Sequence, residues 1–373
     1  MKVIISPQAF KGSLAAMDVA KAIQSGVLLG CPSAETVLLP VSDGGDGFLD
    51  VILAAARGTL RSSIVTGPMG KRMDISWGVL KEPATAVIEL AKICGIAMIP
   101  PEDRDPLVST TFGIGEVILE ALKEGMQKFL IGIGGSATND AGVGILQALG
   151  ARFLDENGFE LPWGGGALVD LAEIDLSNLD PKVKGAEFII GCDVTNPFTG
   201  PEGASKVYSP QKGATPEIVS QLEEGLKKFA ELIKKRKGID LNDILGSGAA
   251  GGVGGGLHVL LDAQVRLGID LVLDLIHFDE YLQGADLVIT GEGRIDSQTL
   301  YNKAPIGVAK RAKQMEIPVI AIAGSLGDGY QAVHKQGIDT VIPLRYSSGF
   351  SENVEKLVVA AAEEAIRSFV DQG

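Results

Sequence analysis

The sequence predicts an α/β protein of two domains, in which both chain ends build one doubly wound parallel sheet and the middle is inserted as a second domain. Three observations lead there. A chain of 373 residues exceeds one ordinary core, since domains usually run ~100 to 200 residues. Short apolar runs near each end stop at loops rich in glycine and acids, and the loops give way to helical periodicity. That alternation packs helices on a parallel sheet. The stretch between reads differently, with an apparent hairpin around Trp77, a helix opened by Thr110-Thr111-Phe112-Gly113, a strand at Lys128 to Gly132 and several glycine-rich turns.

Taken in order, Val3 to Ser6 is a buried strand closed by Pro7, and Ser13 stands as the N-cap of a helix reaching Leu29. Thr36 to Val41 is a second strand, ending in Ser42-Asp43-Gly44-Gly45-Asp46-Gly47 and followed by a helix through Ala56. Late in the chain, Ala285 to Thr290 leads into the loop Gly291-Glu292-Gly293-Arg294, Pro318 to Ala323 into Gly324-Ser325, and Thr340 to Pro343 into a further loop. A helix closes the chain. The terminal domain is therefore expected at 1–63 and 284–373, the inserted one at 64–283. Ligands of such a sheet sit beyond the carboxyl ends of its strands.

Composition narrows the function. A net charge of −14 and 5 % aromatic residues disfavour nucleic acid and anionic membranes, which are held by clustered cations and stacking rings. No run reaches the ~18 apolar residues of a membrane helix. Three scattered cysteines, Cys31, Cys94 and Cys192, form no CxxC pair and point to a reducing, cytoplasmic setting. The three histidines stand apart without a ligand pattern and read as structural.

The polar loops carry the parts that phosphoryl transfer needs: donors for phosphate, carboxylates for Mg²⁺ and a base. Asp43 and Asp46 lie among glycines at a strand end; a plain turn is the competing reading. Gly134-Gly135-Ser136-Ala137-Thr138-Asn139-Asp140 follows an apolar strand, where amides and hydroxyls could grip an anion. From Gly132 it also fits a GxGxxA spacing, with Asp155 about 20 residues on, which keeps an NAD(P)-dependent oxidoreductase open as an alternative. Asp193 and Asn196 end another strand, with Lys212 downstream. Glu292, Arg294 and Asp296 combine two acids with a guanidinium, and Lys11 follows the first strand as a phosphate or carboxylate ligand. No GxxxxGK[ST] phosphate loop is present.

Together, Phe10-Lys11-Gly12-Ser13, Ser42 to Gly47, Gly134 to Asp140, Cys192-Asp193-Val194-Thr195-Asn196-Pro197, Gly200 to Ser205, Pro210 to Ala214, Gly248 to Gly252 and Thr290 to Thr299 resemble the bacterial type I glycerate kinase family. The motifs stand in the family's order across nearly the whole chain. The resemblance implies a flavodoxin-like terminal domain, an inserted restriction-endonuclease-like domain, and ATP-dependent, Mg²⁺-assisted phosphorylation of D-glycerate, at the 2-hydroxyl rather than the 3-hydroxyl. Gln8-Ala9 replaces the family's usual Asp-Ser, and Asp46 and Thr195 stand where Glu and Asp are frequent. These departures leave metal geometry and the range of small hydroxy acids open. The expected catalytic group is Asp193 as base, Asp43 as second choice, with Lys11 and Arg294. Ser13, Gly134, Gly135, Ser136, Thr138, Asn139, Asp140, Asn196 and Lys212 are expected to bind substrate or phosphate, and Asp46, Glu292 and Asp296 the metal. The expected partners are nucleotide and glycerate, for a monomer or homodimer. A catalytically dead metabolite sensor is the third reading, disfavoured by the retained acids.

Overall fold

The structure is a computed structural model describing residues 1–300, 303–345 and 353–372. Among these residues it has thirteen strands: β1 (Lys2–Pro7), β2 (Glu35–Leu38), β3 (Thr59–Thr66), β4 (Arg72–Leu80), β5 (Thr85–Glu89), β6 (Lys128–Gly132), β7 (Arg152–Leu154), β8 (Glu173–Asp175), β9 (Glu187–Cys192), β10 (Gln264–Leu267), β11 (Leu287–Ile295), β12 (Val319–Leu326) and β13 (Thr340–Pro343). No helix among the described residues is long and apolar enough to cross a membrane.

The chain divides into two compact units, 1–56 with 267–373, and 57–266. These boundaries lie some residues before those expected from sequence, for a local reason at each end. Strand β3, which opens the second unit's sheet, already starts at Thr59. The helices Gly268–Leu275 and Phe278–Leu282 pack on Ala304–Gln314, within the first unit.

The first unit is a five-stranded sheet in the order β13-β12-β11-β1-β2, with every pair parallel. Numbered within the unit this is the order 2-1-3-4-5 of flavodoxin-like sheets, with the topological switch between β1 and β11. On one face, Val3, Ile5, Ile289 and Ile322 pack with Val19, Ile23, Val358 and Ile366. The helices Ala16–Gly30 and Val354–Gln372 come so close that a Cβ on Gly26 would stand 2.2 Å from the Val359 carbonyl oxygen. Two local expectations are corrected. The first helix starts at Ala16 and its N-cap is Ala15, without a side-chain cap, because Ser13 is spent in a tight turn whose amide donates to the Phe10 carbonyl. Strand β11 does not stop at Thr290: it stays paired with β12 through Ile295, so Glu292 and Arg294 are strand residues. Two positions apart, they share one face of the strand, with Glu292 buried and Arg294, nearer the strand's end, exposed.

The second unit carries a six-stranded sheet, β10-β9-β6-β5-β4-β3, and a small β7-β8 pair. Strands β3, β4 and β5 are antiparallel, while β5, β6 and β9 run parallel. The hairpin expected around Trp77 is β3-β4, where the buried indole donates to Ser63 Oγ at 2.9 Å. The helix Phe112–Lys123 and strand β6 stand where the sequence put them.

Candidate active site

In the first unit β1, β2 and β11 are parallel neighbours, so their following segments emerge at one end of the sheet. Asp43 is buried, and close packing holds it there: a Cβ on Gly268 would meet the Asp43 carbonyl oxygen at 2.0 Å. Glu292, 8 % exposed, accepts from Lys303 Nζ at 3.1 Å on one oxygen and from Thr299 Oγ1 at 3.2 Å on the other. The Thr299 hydroxyl in turn accepts from the Asp296 amide. Burial pushes the Glu292 carboxyl up to about 7, against the opposing pull of Lys303, and the charge of Asp43 adds to the rise. Lys303 is shifted the other way from what its burial alone would do, since Glu292, Asp43 and Asp296 together raise it.

The remaining expected residues of this unit are peripheral to that cluster. Lys11 Nζ pairs with Asp46 Oδ2 at 3.0 Å, with the lysine side chain 78 % exposed. Arg294 Nε pairs with Asp296 Oδ2 at 3.0 Å. Lys11, Ser13 and Asp46 line a cavity of about 350 Å³ together with Phe10, Met17 and Asp50.

The three acids expected to hold a metal do not fit a preformed site. Each already faces a cation: Lys11 for Asp46, Lys303 for Glu292, Arg294 for Asp296. Among the described residues no three acidic, histidine or cysteine side chains are grouped to hold an ion.

In the second unit β6 and β9 pair in parallel, Gly132 opposite Gly191, so the segments at 133–140 and 193–197 leave the sheet at the same end. Asp140 is fully enclosed; its carboxylate accepts from the amide and hydroxyl of Thr111 at 2.9 and 2.8 Å and from the amides of Gly142 and Gly144. Burial raises its pKa and those hydrogen bonds restrain the rise. Asn139 accepts from Ser209 Oγ and donates to Ser205 Oγ, both at 3.1 Å. Both side chains are buried, and their hydrogen bonds shape the loop from inside. Lys212, 2 % exposed, reaches Ser136 Oγ at 2.8 Å and the Thr138 carbonyl at 2.7 Å. Burial lowers it to about 8.

Asp193 follows β9 in a half-buried position. Burial first, then its negative charge, pushes the Cys192 thiol and the Tyr208 hydroxyl each up to about 12. Asn196 is locked between the Glu202 carbonyl and the Tyr208 hydroxyl. Asp155, the residue that kept a dinucleotide site open, caps its own turn by accepting from the Asn157 and Phe159 amides.

Sequence reasoning missed Lys303, Thr299, Thr111 and Tyr208. Thr111 stood in the helix opening Thr110-Thr111-Phe112-Gly113, Thr299 ended the motif Thr290 to Thr299, and Lys303 directly precedes Ala304-Pro305, a proline in the first helical turn.

A doubly wound sheet with acids and a lysine at its strand ends, joined in one chain to a glycine loop backed by a buried lysine, is the equipment of a small-molecule phosphotransferase. Residues 3–370 match the glycerate kinase family. The chain is 47 % identical over 349 residues to the glycerate 2-kinase of Escherichia coli (strain K12), covering 94 % of this chain and 92 % of that one. It is 46 % identical over 344 residues to the glycerate kinase of Bacillus subtilis (strain 168), covering 92 % and 90 %. A crystal structure described as glycerate kinase 2 from Salmonella typhimurium LT2 superposes with a TM-score of 0.86 at 43 % identity, covering 100 % of this chain and 99 % of that one. The chain belongs to the glycerate kinase family.

Proposed function

We propose that this enzyme transfers the γ-phosphoryl group of ATP to the 2-hydroxyl of D-glycerate, giving 2-phospho-D-glycerate and ADP. One observation carries the reading: the match to the glycerate kinase family runs from residue 3 to residue 370, so both units and every loop described above fall inside it.

Asp193 takes the proton of the attacking hydroxyl. The alcohol oxygen then bonds to the γ-phosphorus as the bond to the β–γ bridging oxygen breaks, and ADP leaves. Its half-buried place directly after β9 supports that role. Asp43 is the second candidate, by its buried place at the strand ends of the first unit. Lys11 and Arg294, both exposed, supply positive charge for phosphate.

Mg²⁺ accompanies the nucleotide. Such ions are commonly held by one or two carboxylates plus substrate phosphates rather than by a full protein cage, which suits acids that already have cationic partners.

The test is ADP release from MgATP with D-glycerate, L-glycerate or no acceptor, with the product resolved by phosphorus NMR. D-glycerate-dependent ADP and a 2-phosphate are expected. A 3-phosphate overturns the regiochemistry, and the absence of acceptor-dependent release overturns the substrate. Asp193→Asn is expected to lower kcat by roughly 10²- to 10⁴-fold; retention of most of the activity removes Asp193 as the base.

A further inference from the structure

The polar groups of the loop after β6 divide into those partnered inside the loop and those left with a proton to give. Asp140 accepts four hydrogen bonds from Thr111, Gly142 and Gly144, and the buried Asn139 is engaged by Ser205 and Ser209. Their work is internal. Lys212 is an ammonium, which can only donate, so at 2.8 Å the Ser136 oxygen must be the acceptor. The hydroxyl proton of Ser136 then has to point elsewhere, and among the described residues Ser136 Oγ has no partner besides Lys212 Nζ. Thr138 Oγ1 is likewise buried without a partner.

The backbone tells the same story. Among the described residues the amides of Gly134, Gly135 and Ser136 donate to no carbonyl. Gly135, the exposed residue at the tip, has a φ of +72°, the left-handed conformation that turns successive amides toward one point. Three free amides, one oriented hydroxyl and a lysine buried directly behind them leave donors in excess and no acceptor to match.

We propose that the turn Gly134-Gly135-Ser136 is a seat for an anionic oxygen of the substrates, with Ser136 as the donor that touches it and Lys212 as a positioning residue that acts only through Ser136 and the Thr138 carbonyl. Lys212 fixes which way the Ser136 proton points and supplies positive charge from behind, without itself meeting the ligand. The oxygen belongs to a carboxylate or to a phosphoryl group, chemistry that the amides and hydroxyl serve equally. This deepens the kinase reading and rests on it for the identity of the two anions.

The test compares wild type, Ser136→Ala, Ser136→Thr, Lys212→Met and the double variant, each first checked for folding by circular dichroism and thermal unfolding. Ser136→Ala is expected to lose roughly ten- to a hundredfold in kcat/KM, Ser136→Thr to recover much of it, and Lys212→Met to add little once Ser136 is gone. If the loss falls on the KM of D-glycerate, the seat holds the carboxylate; if on that of ATP, a phosphoryl oxygen. The alkaline limb that Lys212 imposes on wild-type kcat/KM should vanish in Ser136→Ala. Should Lys212→Met fail to fold, the two Ser136 variants and the pH profile still decide. Ser136→Ala within twofold of wild type for both substrates, with its pH profile unchanged, overturns the proposal. If wild type does not turn over glycerate, the kinase reading fails separately. The seat is then judged by calorimetric titration of wild type and Ser136→Ala with D-glycerate, ATP and orthophosphate: weaker binding of any of them by the variant supports it, and equal binding or none by wild type overturns it.

Discussion

The acid cluster of the first unit and the glycine loop of the second bury opposite charges. At Glu292 the acid is inside and its lysine partner is only partly covered, and the carboxyl is pushed up to about 7. At Lys212 the lysine is inside, hydrogen-bonded to neutral oxygens instead of a carboxylate, and it is lowered to about 8. Burial moves each group toward its neutral form, whatever its sign. Burial thus moves one group in each unit, Glu292 and Lys212, toward neutral pH, a range suited to proton and charge work.

The largest expected effect breaks the loop side of this comparison. Asp140→Ala would leave the Thr111 amide and hydroxyl and the Gly142 and Gly144 amides unsatisfied in the interior. A loss of about 4 kcal/mol in stability by denaturant unfolding is expected, with activity lost as well. A loss below about 1 kcal/mol would show that the carboxylate does not organise the loop.

The next effect sharpens it, through opposite signs. Glu292 is raised in the folded state from 4.5, so the folded protein holds a proton there that the unfolded chain has released. Its contribution is fully present below about pH 4.5 and is lost as pH rises through about 7, by on the order of 3 kcal/mol. Lys212 is lowered from 10.5, so the unfolded chain binds the extra proton and stability rises between about pH 8 and 10.5. Unfolding free energies across these windows for wild type, Glu292→Gln and Lys212→Met check both: each variant should lose one slope and keep the other. Two unchanged slopes would sink the comparison.

The smallest effect is expected at Lys11. With its side chain 78 % exposed, the Asp46 pair is worth little, and Lys11→Met should change stability by less than about 0.5 kcal/mol while raising the KM for ATP. An unchanged KM would leave Lys11 a surface residue.

Much of this was legible from sequence. The terminal strands and their order of use followed from apolar runs closed by glycine and acid, Asp43, Glu292 and Ser136 were visible as polar residues at strand ends, and Lys212 as a cation downstream of one. Lys11 and Asp46 were equally visible, yet no spacing in the chain indicates that they neutralise each other. The Glu292 segment misled in one respect, because Gly291 and Gly293 look like a loop while the pairing with β12 keeps it a strand.

The sequence by itself determined the α/β class, the division into a split terminal unit and a central one, and the kinship carried by the ordered motifs, because periodicity and short motifs are local properties of the chain. Only the tertiary structure decided which charge meets which partner. Lys303 finds Glu292 eleven positions away and Lys212 finds Ser136 seventy-six positions away. Whether a carboxylate is a ligand, a loop organiser or half of an ion pair depends on burial and on donors brought in from distant segments, and those are set by packing.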